Sequence, residues 1–239
     1  MFGYIPARGG SSRIPKKNIR TLGGKPIIVH VIDSLKVLPF LSEVFVSTDN
    51  QEIADIAEGA GAVVLELRSP ELSNSKSGFM DLIRDDIPRY VEASGGDDEC
   101  LFCLATAGLL TPEILSEAYG AFRQNNPEIL MSVEPYAEPI WWALREDDKG
   151  YLSPVFPDKV LINSQDLEPT YTDSGLFYLF KQSILSKYYS HKGAKKIEPF
   201  HVPYQYRVNV DVEEDWEMLE WKYNKLQKKS NFRGHSEKY

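Results

Sequence analysis

The stretch PARGGSSRIPKKN, residues 6–18, follows the apolar run FGYI and sets Arg8, Arg13, Lys16 and Lys17 around Gly9, Gly10, Ser11 and Ser12. Two adjacent glycines let a backbone approach a ligand closely, and successive amides in such a turn can form an anion nest. The serine hydroxyls add donors and the four long side chains add charge, so the loop suits a polyphosphate. It is not a Walker A loop, because no Gly-Lys-Ser/Thr closes it, and GGSSRI lacks the G-x-G-x-x-G dinucleotide fingerprint. A solvated basic turn is the alternative that these residues alone leave open.

The setting sharpens the first reading. The chain has 239 residues and a net charge of −8, so its surface as a whole repels nucleic acid and anionic membranes, and neither is an expected partner. Between Met1 and Ile32 there is no Asp or Glu, yet the span holds Arg8, Arg13, Lys16, Lys17, Arg20 and Lys25. An even spread of acids would put about 5 there. An acidic chain has kept one positive pocket for a small anion.

With 42% hydrophobic and 26% charged residues, the composition is that of a soluble protein with one α/β domain over residues 1–239. No run of 18 apolar residues suggests a membrane span, and the N-terminus lacks a secretory signal pattern, so a cytoplasmic protein is expected. Cys100 and Cys103 in ECLFCLAT could form a C-x-x-C half-site. No second pair completes it, and the flanks read as a buried strand where cysteine acts as a small hydrophobe. His30, His191, His201 and His235 show no ligand spacing, and no nucleophile elbow is present.

The elements that must position the loop alternate along the chain. FGYIPA reads as a strand, and KPIIVHVIDSLKVL as a helix with Pro26 in its first turn. EVFVST is a strand whose Asp49-Asn50 can cap the helix of QEIADIAEGAG, and AVVLEL a third strand. FMDLIRDDIPRYVEA reads as helical despite Pro88. CLFCLA is a strand, and Thr111, Pro112 and Glu113 start a helix. ILMSVEP, SGLFYLF and YRVNVDV are further strands, and EEDWEMLEWKYNKLQKK a closing helix. This alternation predicts a mostly parallel sheet with helices on both faces. The rhythm breaks between Pro135 and Thr172, which read as a hairpin arm. Its adjacent Trp141 and Trp142 would point to opposite faces of a strand, one of them toward a partner subunit or simply anchoring a loop. Residues 230–239 read as a frayed tail.

IPARGGSSRIPKKNI, KPII, VFVSTDNQEIADIAEGAGA, RSPELS, CLATAGLLTPEIL, SQDLEPTYTDSGLFY and VNVDVEEDW occur in this order over nearly the whole chain. The set resembles the cytidylyltransferases that activate nonulosonic (sialic-type) acids, and INSQDLEPTYTDSGLFY is most similar to their pseudaminic acid branch. The resemblance implies a GT-A-like nucleotide-diphosphosugar transferase fold, a homodimer made through the arm, CTP as co-substrate, Mg2+, and pyrophosphate release. It assigns Arg8 and Lys17 to phosphates as catalytic groups. Ala7, Gly9, Gly10, Ser11, Arg13, Asn18, Arg68 and Ser77 (with Ser75 in an alternative register) are assigned to the nucleotide, Thr106 and Gln165 to the sugar, and Asp211 with Asn209 to the metal. The residues alone give Asp211 a second reading, a D-x-x-E helix cap with Glu214.

Four places depart from the family pattern. Asn209 stands where a second aspartate is common, which should weaken metal binding. Asn163-Ser164 replaces an arginine on the arm, and Thr106-Ala107-Gly108 replaces a T-x-P. Ser12 stands at a common lysine, for which Arg13 could substitute. These changes motivate a competing reading, a catalytically weakened homologue that binds nucleotide or sugar as a dimeric partner protein. A sugar-1-phosphate nucleotidyltransferase is a third reading, but its longer G-x-G-T-R-L signature is missing.

Overall fold

The computed structural model describes residues 1–11, 13–74 and 77–236, with side chains described as far as Lys229. Ser12 and Ser75, named above, lie outside the described residues. In chain order the elements are β1 (Phe2–Pro6), β2 (Thr21–Leu22), β3 (Lys25–Pro26), α1 (Ile27–Lys36), β4 (Val44–Ser47) and α2 (Gln51–Gly59). The short helices α3 (Pro70–Ser73) and α4 (Phe79–Asp81) follow, then α5 (Ile87–Ala93), β5 (Glu99–Cys103), α6 (Pro112–Asn125) and β6 (Ile129–Pro135). The rest is β7 (Leu144–Glu146), β8 (Leu152–Pro154), β9 (Tyr171–Lys181), α7 (Gln182–Leu185), β10 (Ile197–His201) and α8 (Glu213–Ser236).

A six-stranded sheet with order β10-β6-β9-β5-β1-β4 is the frame. β1 pairs parallel with both β4 and β5, and β9 lies antiparallel on β5. Because side chains alternate along a strand, the sheet has two apolar faces. Ile5, Val46, Leu101 and Phe177 pack beneath Ile28, Val31 and Ile32 of α1 and Leu115 of α6. Tyr4, Phe45, Phe102 and Tyr178 point the other way, onto Ile83, Ile87 and Tyr90. Cys100 and Cys103 are fully buried free thiols in β5, and burial raises the pKa of both, as expected of inert core residues.

The helix predicted across Pro88 forms with a widened stretch. A π-helical turn, Leu82–Asp86, joins α4 to α5 and accommodates the proline, which has no N–H and would crowd a regular preceding turn. Pro26 lies just before α1, not inside its first turn. Two predicted strands do not form. AVVLEL contributes a single bridge, Val63 to Phe45, after which Leu65 and Leu67 turn to solvent. YRVNVDV is irregular, and lysine side chains take up two of its carbonyls: Lys222 donates to Arg207 O at 2.7 Å, as it does to Tyr204 O just before the segment, and Lys17 donates to Val210 O at 2.6 Å. The strand on that side is β10, whose Pro199 is tolerated at the sheet's edge. α8 continues to Ser236, through most of the segment expected to fray.

Residues 1–132 and 174–239 form one compact unit and 133–173 a second. The second contains the antiparallel pair β7–β8 around a turn at Gly150, whose φ of 83° favours glycine. Trp141 and Trp142 sit on a 3-10 turn and not on a strand. Their indole N–H groups donate within this unit, to Glu168 O and Ile162 O.

Candidate active site

The basic loop leaves the C-terminal end of β1 and is held from behind by α8. Ile14 is buried with Leu22, Ile27, Leu109, Val210, Trp216 and Leu219, a cluster that ties loop and helix together. Arg20 lies 4.5 Å over the Trp216 ring and forks onto Glu213 at 2.6 and 2.7 Å. At the front, the Gly9 N–H donates to Asp49 Oδ1 at 2.8 Å, while Asn50 caps α2 by accepting from Ile53 N–H. A Cβ on Gly9 would lie 2.8 Å from Asn50 Cβ, whereas one on Gly10 would meet nothing. Ser11 N–H donates to Gly9 O at 3.0 Å. Two of the amides expected in an anion nest, those of Gly9 and Ser11, are therefore engaged within the protein, and attraction for an anion rests on the side chains.

Those side chains divide. Arg8, Arg13 and Lys17 line a cleft of about 400 Å3, together with Ser11, Asn18, Arg68, Ser77, Thr106 and Asp211. Lys16, expected among them, takes a left-handed backbone (φ 53°) and pairs with Glu52 at 2.7 Å, while Lys25 pairs with Asp33 and Arg20 with Glu213. Lys17 is partly buried. Burial lowers its pKa, Asp211 opposes the shift, and Arg13 and Arg8 add to it. Asn18 is buried and donates to Arg8 O at 2.9 Å, fixing the backbone from which the Arg8 side chain departs. Arg8 in turn donates to Asn74 O at 3.1 Å across the cleft mouth.

Arg68 is 5% exposed, an uncommon state for arginine. Its Nη1 donates to Ser47 Oγ at 3.3 Å and its Nε to Ser73 Oγ at 3.1 Å, and its backbone N–H reaches Thr48 O at 2.7 Å. Beneath Ser47 lies fully buried Asp86, which also accepts from Tyr4 and Arg89. Burial, then the charge of Asp86, pushes the Tyr4 phenol pKa up, so Tyr4 stays a donor.

Asp211 is not the cap of α8. Asp215, the third residue of α8, instead reaches back, its Oδ2 accepting from the N–H groups of Asp211 and Val212 at 2.8 and 2.9 Å. The Asp211 carboxylate is free to face the cleft, where it accepts from Arg13 at 2.9 Å and Asn209 Nδ2 at 3.1 Å, with Lys17 Nζ at 3.9 Å. No cluster of three or more His, Cys, Asp or Glu stands ready for a metal among the described residues. One carboxylate with a neighbouring amide oxygen fits Mg2+ only where phosphates and water complete the shell. Gly175, in TDSGLFY, adopts φ 64°, a conformation that favours glycine, and a Cβ there would meet Asn209 only at ordinary contact distance, 3.7 Å.

Ala7 is buried in the sheet core with its N–H on Ser47 O, and neither it, Gly9, Gly10 nor Asn209 lines the cleft. Gln165 belongs to the second unit, on the exposed turn Ser164–Asp166. Gly108 leaves no room for a side chain, since a Cβ would lie 2.8 Å from Ile27 Cγ1. The sequence reading missed Phe79, Leu82, Leu104 and Tyr178, which give the cleft an apolar wall, and the Ser47–Asp86 pair. In the sequence the four wall residues carry only the apolar periodicity of core positions, and Ser47 and Asp86 lie far apart in otherwise ordinary strand and helix segments, so nothing marked them.

Residues 3–230 match the cytidylyltransferase family. The chain belongs to that family. Pseudaminic acid cytidylyltransferase of Campylobacter jejuni is 35% identical over 177 residues, 73% of this chain and 75% of the relative. CMP-N,N'-diacetyllegionaminic acid synthase of Legionella pneumophila is 30% identical over 228 residues, 92% of this chain and 94% of the relative. Among solved structures, a CMP:2-keto-3-deoxy-manno-octonic acid synthetase complexed with CTP is similar with a TM-score of 0.65 and 19% identity, covering 95% of this chain and 98% of that one. The family's α/β fold with its mostly parallel central sheet is thus the fold of this chain.

Proposed function

We propose that this cytidylyltransferase joins CMP from CTP to the anomeric hydroxyl of a nonulosonic acid, of the pseudaminic type, with release of pyrophosphate. The observation that carries this reading is the convergence of Arg8, Arg13 and Lys17 with Arg68 and Asp211 on one cleft of a family member. The sugar hydroxyl oxygen attacks the α-phosphorus in line, the bond from that phosphorus to the α–β bridging oxygen breaks, and the hydroxyl proton passes to solvent. The protein's part is positioning and charge neutralisation. Arg8, Arg13 and Lys17 hold the β- and γ-phosphates and offset the charge that grows on the departing pyrophosphate. Ser11, Asn18, Arg68 and Ser77 hold the nucleoside end, and Thr106 orients the sugar acid.

Mg2+ is part of the proposal: Asp211 and the Asn209 carbonyl would hold it, and when bound it would neutralise triphosphate charge. We also place the reaction in the cytoplasm, and a homodimer forms through residues 135–172. Leu144, Tyr151, Leu152 and Leu161 of that unit are exposed, Leu161 to 94%, which supports such a contact. A pyrophosphate assay with CTP, Mg2+ and pseudaminic, legionaminic, neuraminic and deoxyoctulosonic acids tests the reading. Release with a nonulosonic acid is expected, and silence across the panel would count against it.

One observation favours the second reading, a weakened homologue. Asn209 offers Asp211 an amide donor where a second carboxylate would share a metal. Nucleotide binding without turnover, with turnover restored by Asn209→Asp, would favour that reading.

A further inference from the structure

The buried acid behind the cleft has no part in the reaction described above. Asp86 ends the π-helical turn Leu82–Asp86, is fully buried, and receives hydrogen bonds from three directions. Tyr4 and Ser47 Oγ both donate to its Oδ2, and Arg89 donates to Oδ1 at 2.7 Å. The polarity of the chain beyond it is fixed. A serine hydroxyl has one hydrogen, and because Ser47 gives it to the carboxylate, the Ser47 oxygen can only accept from Arg68. Arg68 Nη1 stands 3.3 Å from that oxygen, and no carboxylate lies within ion-pair distance of Arg68 among the described residues. Asp86, which is also ion-paired to Arg89, is thus linked to this nearly buried guanidinium through one hydroxyl, beside the contacts of Arg68 with Ser47 O at 3.5 Å and Ser73 Oγ at 3.1 Å.

We infer that Asp86 is a positioning residue for nucleotide recognition, holding Arg68 in the cleft wall through the hydroxyl of Ser47. The inference rests on the reading that Arg68 contacts the nucleoside end of CTP. Charge-assisted hydrogen bonds in series are stronger than neutral ones, and a side chain with four torsions is held in one pose only while they last. Ser47→Ala cuts the relay while leaving Tyr4 and Arg89 on Asp86, and it is the milder variant. Asp86→Asn keeps the shape but removes the charge, at greater risk to folding.

The test is calorimetry of the full chain with CTP and, separately, with inorganic pyrophosphate, on wild type, Ser47→Ala, Arg68→Ala and the double variant. Loss of the relay should weaken CTP about tenfold, the effect of losing one hydrogen bond to a charged group, with pyrophosphate affinity held within about twofold. In the Arg68→Ala background, Ser47→Ala should change CTP affinity by less than about twofold, because the interaction it serves is already gone. An equal loss in both backgrounds, or parallel loss of CTP and pyrophosphate, would make Asp86 and Ser47 general scaffold and overturn the inference. Unchanged CTP affinity in Arg68→Ala would sink the reading of Arg68 and this inference with it. A normal loss in Arg68→Ala with none in Ser47→Ala would sink the inference alone.

Discussion

Lys16 and Lys17 are neighbours of one type in one loop, and they do opposite things. Lys16 turns back to an exposed pair with Glu52, as Lys25 does with Asp33, while Lys17 is drawn in with Arg8 and Arg13 to line the cleft. At the back of the loop each cation has an acid of its own, Glu52, Asp33 or Glu213, while on the cleft side Arg13 and Lys17 share Asp211. An exposed pair in high dielectric contributes little, whereas three cations around a partly enclosed cleft raise the local concentration of an anion. The acid-free stretch of sequence therefore overstates the field at the site, since half of its six cations are neutralised elsewhere.

Removing a front cation should break this contrast most visibly. Arg8→Ala is expected to lower kcat/KM for CTP about 10²- to 10³-fold, the size seen when one preorganised donor to developing charge is lost, as steady-state pyrophosphate release would measure. Gly9→Ala comes next. Its Cβ would crowd Asn50 at 2.8 Å, and such overpacking should cost about 1–3 kcal/mol of stability in denaturant unfolding, while Gly10→Ala, facing open space, should be nearly silent.

The pH dependence sharpens the contrast further. Burial depresses the pKa of Lys17, so on the alkaline side the free protein loses this charge before an exposed lysine would lose its own. In that window kcat/KM for CTP should fall, and Lys17→Arg should keep it level to higher pH. The sign for stability is opposite. The unfolded chain keeps this proton longer than the folded one, so the Lys17 contribution to stability rises with pH across the same window. Arg20→Ala, on the back of the loop, should have the smallest effect: a melting temperature lower by about 2 °C, with CTP affinity within about twofold of wild type.

Much of the frame was legible in the sequence, because apolar alternation and helical spacing are local. β1, β4, β5, α1, α2 and α6 formed where Ile5, Val46, Leu101 and the Ile28–Val31–Leu35 row predict them. What escaped depends on partners far along the chain. YRVNVDV has strand-like alternation, but Lys222 takes up Arg207 O and Lys17 takes up Val210 O, and no period in the segment encodes that. AVVLEL is apolar enough for a strand and found one bridge at Val63. At the site, charge and glycine marked the loop, and the family resemblance pointed to Arg68 and Asp211. Which lysine turns inward, and the buried Ser47–Asp86 support, are set by packing around Trp216 and beneath Arg68.

The most direct test of the central claim is calorimetry of CTP binding to Lys16→Ala and Lys17→Ala, measured side by side at one ionic strength. The account predicts that Lys17→Ala weakens CTP at least about tenfold and Lys16→Ala changes it less than about twofold. Equal losses, or a larger loss for Lys16→Ala, would contradict it, because the loop's charge would then act as an undivided patch with no triphosphate grip on its cleft side.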